Sequence, residues 1–496
     1  MLSETLDALF PSWLVRLDTS PTSRDPLGLA AQAGRNADAV LPGLTVFTSR
    51  ARYLSFLCWA VRASENGPPG ARLDRIHRLE RLLVLGEALL HDEDPDACTY
   101  IGRRRGRRFV REHDRDDVWE LPSRILKNQV TNGAFRLYRT ALESFGVVEE
   151  SDSSDSPVGL ELTQRGDSLA NRYEQKLDTN IVRWALAEPD QRKRRGALVE
   201  NAAAMCLSGR IDSYERRHLV AGLVGRSGEE IVRRETVRAL FQHDLLARPP
   251  LVDIAAEDAD AVSEDNGRPA EEAAAEETRG NWGVVRRVLE IGPRPELRDL
   301  YKASAYEMVA LGLNRLFASC LDAVSAPGRV GLGAWGERVG ARAGEAYAHR
   351  PAAEWVGGTK AVDVASELLE ADSGSWEDTA VRAMRLLVVS SRSDAMRSAL
   401  SDVPVSLVAR VLDMAGETST RSGAQLARQL VMDAIDHHLK VSASKGKGEW
   451  IMMDRDDLVR RDPRSMLPIL HALRFAQLAQ LARDVKLMPE DVADEA

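Results

Sequence analysis

The chain has 496 residues and a net charge of −9, room for roughly two to four domains and too acidic for a uniformly basic nucleic-acid binder, although local basic patches stay open. Its 44% hydrophobic and 29% charged residues are ordinary for a soluble globular protein. The opening MLSETLDALFPSWL carries Glu4 and no basic region before an apolar run, so no secretory signal is read, and runs such as Leu54 to Val61 and Leu386 to Val389 fall far short of the roughly 18 residues of a membrane span.

The first motif is LPGLTVFTSRARYLSFLCWAVR. A turn at Pro42-Gly43 leads into a helix holding Arg50, Arg52, Tyr53, Phe56 and Trp59, with Thr48 or Ser49 as its expected cap. Arginines beside aromatics can bind a phosphate or stack a base; the same pattern also suits an aromatic core helix with capping charges. The breaker Asn66-Gly67-Pro68-Pro69-Gly70 ends it. Leu73, Ile76, Leu79, Leu82 and Leu83 then recur at helical spacing and predict one buried helix face.

Next comes the densest basic run, GRRRGRRFVR, with Arg103, Arg104, Arg105, Arg107 and Arg108 around Gly106. Arginine pairs bidentately with phosphate, and glycines let a phosphate approach the backbone. The competing reading is an exposed loop paired with Glu112, Asp114, Asp116 and Asp117 just beyond. From Phe135 to Ala170 an amphipathic helix ends at Gly146, a strand begins VVEE, and a polar Ser151 to Pro157 loop follows. A second short strand, Gly159 to Leu162, leads to Thr163, an N-cap for the next helix.

The strings LESFGVVE and LTQRGDSLA resemble the end of a recognition helix and the wing-to-last-helix junction of the winged helix-turn-helix superfamily, over roughly residues 120–175. The resemblance implies that the helix carrying Arg136 and Arg139, with Asn132 near its start and Lys127 ahead of it, faces the major groove. The loop ESDSSDSP is acidic and repels phosphate, a departure that leaves a packing or dimerisation role open. The N-terminal segment also resembles those of prokaryotic proteins encoded with phage-defence genes.

Farther along, QRKRR at Gln191 to Arg195 reads as a solvated helix start or a further basic contact. Helical stripes occur at Ile181 to Leu186, Leu219 to Leu223, Val284 to Ile291, Met308 to Leu321 and Leu407 to Met414, while period-2 alternation is almost absent outside the wing. The stretch Asp253 to Gly280 is acidic, alanine-rich and poor in large apolar residues, and reads as a flexible linker. The glycines of Gly328 to Gly344 are too irregular for a dinucleotide fingerprint and suggest closely packed helices or a loop. Lys445 and Lys447, flanked by Gly446 and Gly448, resemble a phosphate-contacting loop. Asp433, Asp436, His437 and His438 on one predicted helix, with Asp454, Asp456 and Asp457 beyond, offer a nuclease-like metal set or, alternatively, a helix start capped at Asp454. Cys58, Cys98, Cys206 and Cys320 form no paired ligand spacing and are expected as small core residues of a reduced, cytoplasmic protein without structural metal or cofactor.

The expected architecture is mainly α: a helical domain at 1–118, a winged helix at 119–180, a helical domain at 181–252, an acidic linker at 253–280 and a C-terminal helical domain at 281–496. The expected function is a non-catalytic subunit of a prokaryotic, defence-type multi-protein system. It would bind DNA through Arg103, Arg104, Arg105, Arg107, Arg108, Lys127, Arg136, Arg139, Lys445 and Lys447, beside other protein subunits and with no membrane. A protein-interaction scaffold is the alternative, and a metal-dependent nuclease the third reading.

Overall fold

The computed structural model describes residues 25–65, 68, 71–91, 98, 100–113, 118–126, 129–151, 159–186, 193–246, 281–324, 327–370, 374–446, 448–463 and 473–493. The chain is mainly helical, as its periodicities require. The first part runs α1 (Ala30–Val40), α2 (Arg52–Glu65), α3 (Arg72–Leu90), α4 (Arg103–Glu112), β1 (Val118–Trp119), α5 (Gln129–Asn132), α6 (Ala134–Ser144), β2 (Val148–Glu150) and β3 (Leu160–Leu162). Then follow α7 (Gln164–Glu174), α8 (Thr179–Leu186), β4 (Lys193–Arg194), α9 (Arg195–Met205), α10 (Ser213–Val224), α11 (Gly228–Gln242) and α12 (281–291). The remainder comprises α13 (Arg298–Ala323), β5 (Gly328–Gly331), α14 (Leu332–Ala343), α15 (Glu345–His349), α16 (Ala352–Val356), α17 (Ala361–Glu370), α18 (Trp376–Arg392), α19 (Asp394–Leu400), α20 (Ser406–Glu417), α21 (Gly423–Ser444), β6 (Ile451–Asp454), β7 (Asp457–Arg460), α22 (Phe475–Asp484) and α23 (Pro489–Val492). No described helix is long and apolar enough to cross a membrane.

The chain divides into two compact units: a larger one of residues 33–307 and 469–496, and a smaller one of residues 1–32 and 308–468. Both are discontinuous in sequence, which reading along the chain has no means of anticipating. The linker expected at 253–280 lies outside the described residues.

The larger unit is organised on α2, which is buried almost all round and packs against α3, α6 and α7. Phe56 and Trp59 meet Tyr173 of α7 with ring centroids 5.9 and 5.6 Å apart. The α2 arginines belong to this core. Arg52 donates to the carbonyls of Cys206 and Ala204, and Arg50 reaches Asp484 at 3.0 Å and the Leu207 carbonyl at 3.2 Å. The motif is therefore an aromatic core helix, and its first turn is closed from a distance, by Asp484 of α22 accepting the Ala51 N–H at 3.0 Å. Arg233 of α11 is wholly buried and donates to the carbonyls of Leu223, Gly222, Pro42 and Ser144 at 2.7–2.9 Å. Burial pushes its pKa down to about 10.

In the smaller unit α18 packs on α14, α16, α17, α19 and α20, and Gly312 of α13 lets Leu387 of α18 approach closer than any Cβ would allow. Residues 451–460 form a β-hairpin, not the helix start expected at Asp454. Strands β6 and β7 pair across a two-residue turn at which Arg455 has φ +57°, and β5 adds to the other edge of β7. The glycine-rich stretch becomes β5 and α14. A Cβ at Gly333, Gly336 or Gly340 would meet nothing within 4 Å, so these glycines do not serve close helix packing.

Candidate nucleic-acid interface

The helix ending before Gly146, the two short strands and the helix capped by Thr163 all form. Helix α6 ends with Gly146 at φ +60°, its N–H bonded to Glu143 and that of Val147 to Leu142, the paired closure that a left-handed glycine permits. Strands β2 and β3 pair antiparallel with Val148 opposite Leu162. Thr163 caps α7, accepting the Gly166 N–H at 3.2 Å and donating to the Gly146 carbonyl at 2.7 Å. A Cβ at Gly166 would lie 2.0 Å from the Val147 carbonyl oxygen, so only glycine lets α7 seat against the hairpin. The loop 152–158 lies outside the described residues. Glu149 faces Glu161 across the ladder with both exposed, and Glu150 is exposed beside them. Like charges opposed this way repel each other, and would repel a phosphate too.

Helix α6 is fixed from behind. Its buried face is Ala134, Phe135, Tyr138, Ala141 and Leu142, and Glu80 of α3 accepts the Phe135 N–H at 2.6 Å and a Gln129 amide N–H at 2.8 Å. Burial pushes the Glu80 carboxyl up to about 7, against the pull of those two hydrogen bonds. Arg136 is exposed with no partner among the described residues, whereas Arg139 pairs with Glu143 at 2.9 Å.

The dense basic run is a helix, not a loop. It forms α4, whose Arg103, Gly106 and Val110 are buried, and Gly106 is small because Val84 of α3 packs on it. Arg104, Arg105 and Arg107 are half-buried, while Arg108 is exposed and pairs with Glu112 at 2.7 Å, as the local-pairing reading expects. Residues 114–117, Lys127 and Lys447 lie outside the described residues. Lys445 pairs with Asp25 at 3.7 Å.

The C-terminal acids and histidines do not converge. Asp433 is held by Arg410 at 3.0 Å, and Asp454 and Asp457 share Arg329 at 3.1 and 3.3 Å. His438 is buried, with Nδ1 on the Pro26 carbonyl and Nε2 accepting the Trp450 N–H, each at 2.9 Å, so both ring nitrogens serve the fold.

What the larger unit does assemble is a concavity of about 760 Å³ where α7, α10, α11 and α23 meet, lined by Arg165, Arg216, Arg217, Arg226 and Arg234. Three carboxylates share it. Glu230 is held by Arg165 and by Ser227 at 2.9 Å, Asp491 pairs with Arg216 at 2.5 Å, and Glu490 completes the set. Arg217 is exposed and has no hydrogen-bond or ion-pair partner among the described residues. The set is missed from sequence because its members come singly, apart from the one pair Arg216-Arg217, on ordinary-looking helix faces. No family model matches the chain, and no curated protein or solved structure matches it.

Proposed function

We propose that the chain is a non-catalytic, nucleic-acid-associated subunit of a multi-protein system, and that it seats a phosphate backbone in the arginine-lined cleft. One observation carries this reading. Arg165, in the first turn of the helix that follows the hairpin, lines the same 760 Å³ concavity as Arg216, Arg217, Arg226 and Arg234, five guanidinium groups against three carboxylates. Planar guanidinium forks suit bidentate phosphate contacts, and the volume accommodates a nucleotide-sized group. With a net charge of −9 the chain repels polyanions elsewhere, so firm engagement needs partner subunits.

The exposed Glu149, Glu150 and Glu161 favour a second reading, in which the hairpin docks on a basic protein surface and no nucleic acid is held. Fluorescence anisotropy of labelled duplex and single-stranded DNA over a salt series separates the two. The proposal expects steep salt dependence that flattens in Arg217→Glu/Arg226→Glu. Undiminished binding by that variant removes the cleft from the interface, and absence of binding at low salt leaves the protein-only reading.

A further inference from the structure

We propose that Glu87, His91, Cys98 and Cys206 form a tetrahedral binding site for a zinc-type divalent transition metal within the larger unit. The site comes together from three places in the chain. Glu87 and His91 stand one turn apart at the end of α3, and so share a face. Cys98 lies in the segment that follows. Cys206, 119 positions beyond Glu87, sits immediately after the last turn of α9.

The distances carry the inference. His91 Nε2 is 3.4 Å from Glu87 Oε2, Cys206 Sγ is 3.3 Å from the same oxygen, and Cys206 Sγ is 3.6 Å from His91 Nε2. A tetrahedron with zinc bonds of about 2.0–2.3 Å has edges of about 3.4 Å between nitrogen and oxygen and about 3.6 Å from sulfur to either. Three edges of the observed cluster therefore match, to within a few tenths of an ångström, those of a ligand shell around one ion. Ligand atoms of Glu87, His91 and Cys98 also lie within 4.8 Å of one another, which brings the Cys98 thiol close enough to be the fourth ligand we assign.

The surroundings are those of a metal site. Glu87, Cys98 and Cys206 are buried, and His91 is 14% exposed in its side chain, enough for an ion to enter. The second Glu87 oxygen accepts the Leu207 N–H, which orients the carboxylate, and Arg50 donates to Cys98 Sγ at 3.3 Å. Ser208 Oγ lies 2.8 Å from Cys206 Sγ. A divalent ion would offset most of the negative charge that two thiolates and one carboxylate bring into this buried cluster. The mixed thiolate, imidazole and carboxylate set favours zinc or cobalt over magnesium or calcium. With four protein ligands the ion would have a structural role, tying the end of α3 to the end of α9.

The test uses the full chain, purified with reductant and without chelator. Elemental analysis is expected to find about one zinc per chain, and less than about a tenth of that in Cys98→Ser/Cys206→Ser. Cys58→Ser, at a buried cysteine outside the cluster, should keep the metal. Cobalt added to chelator-stripped protein should give the visible bands of a tetrahedral ion and a thiolate charge-transfer band. Metal-free wild-type protein without a cobalt–thiolate band overturns the proposal, as does full zinc content in the double variant. If that variant does not fold, wild-type protein decides alone: chelation should release the zinc and lower the melting temperature, and an unchanged melting temperature after release overturns the structural site.

Discussion

Two sets of arginines in this protein invert what their sequence density suggests. Arg103 to Arg108 are packed into six positions, yet they form α4, with Arg103 under the helix and Gly106 against Val84. Arg165, Arg216, Arg217, Arg226 and Arg234 are scattered over some seventy positions, yet they line one cleft. A single helix presents a contiguous run on its own surface and cannot by itself enclose a ligand. Residues from several elements can, because tertiary packing aims them inward.

The sharpest way to break this comparison is inside one dipeptide, Arg233-Arg234. Arg233→Met removes the donor to four buried carbonyls and should cost about 3–5 kcal/mol in urea unfolding, whereas Arg234 lines the cleft and donates to the Val492 and Ala493 carbonyls at its edge. A loss no larger than that of an exposed arginine would remove Arg233 from the structural class.

Glu80 tests whether α6 is held from behind as its hydrogen bonds imply. Its folded pKa, about 7, exceeds the ordinary 4.5, so between those values the folded protein keeps a proton that the unfolded chain has released. The stabilisation is complete below pH 4.5 and is lost as pH rises through 7, a change on the order of 3 kcal/mol. Unfolding of Glu80→Gln should be flatter with pH across that window; an unchanged slope would assign it to other groups.

Next in size is the cleft itself. Arg217→Glu/Arg226→Glu should weaken DNA binding about tenfold or more at moderate salt, read by anisotropy, with the melting temperature preserved. Smallest of all, Arg108→Ala should leave both melting temperature and DNA affinity within error, since its ion pair with Glu112 is exposed. A large fall in affinity there would return the interface to the dense run.

Much of the helical architecture is legible in the chain because burial imposes a period. Ile76, Leu79, Leu82 and Leu83 are all buried on α3, and Gly146 and Thr163 close and open helices where turn chemistry places them. The β6–β7 hairpin was hidden because four-residue strands carry too few alternations to stand out, and Asp454 suits a turn as readily as a cap. The cleft and the Glu87–His91–Cys98–Cys206 cluster were illegible for another reason. Their residue types are ordinary and their spacings arbitrary, and only the three-dimensional fold makes them neighbours. His438, in the acid- and histidine-rich stretch of α21, is tied up by a carbonyl and an amide, while His91, in no motif, stands among a carboxylate and two thiols.

The discontinuous larger unit has a consequence for biosynthesis. Residues 33–307 leave the ribosome without the groups that complete them: Asp484 for the Ala51 amide, Gln477 for the Val46 carbonyl, Arg474 for Asp38, and the Val485 and Lys486 carbonyls for Arg216. All of these follow residues 308–468, which must be translated first. The nascent larger unit therefore waits, partly open, through the synthesis of another unit's sequence, and its last closure is a long-range docking event. Truncation before Phe475 would strand it in that state, with the first turn of α2 uncapped and the Arg50 guanidinium deprived of its carboxylate.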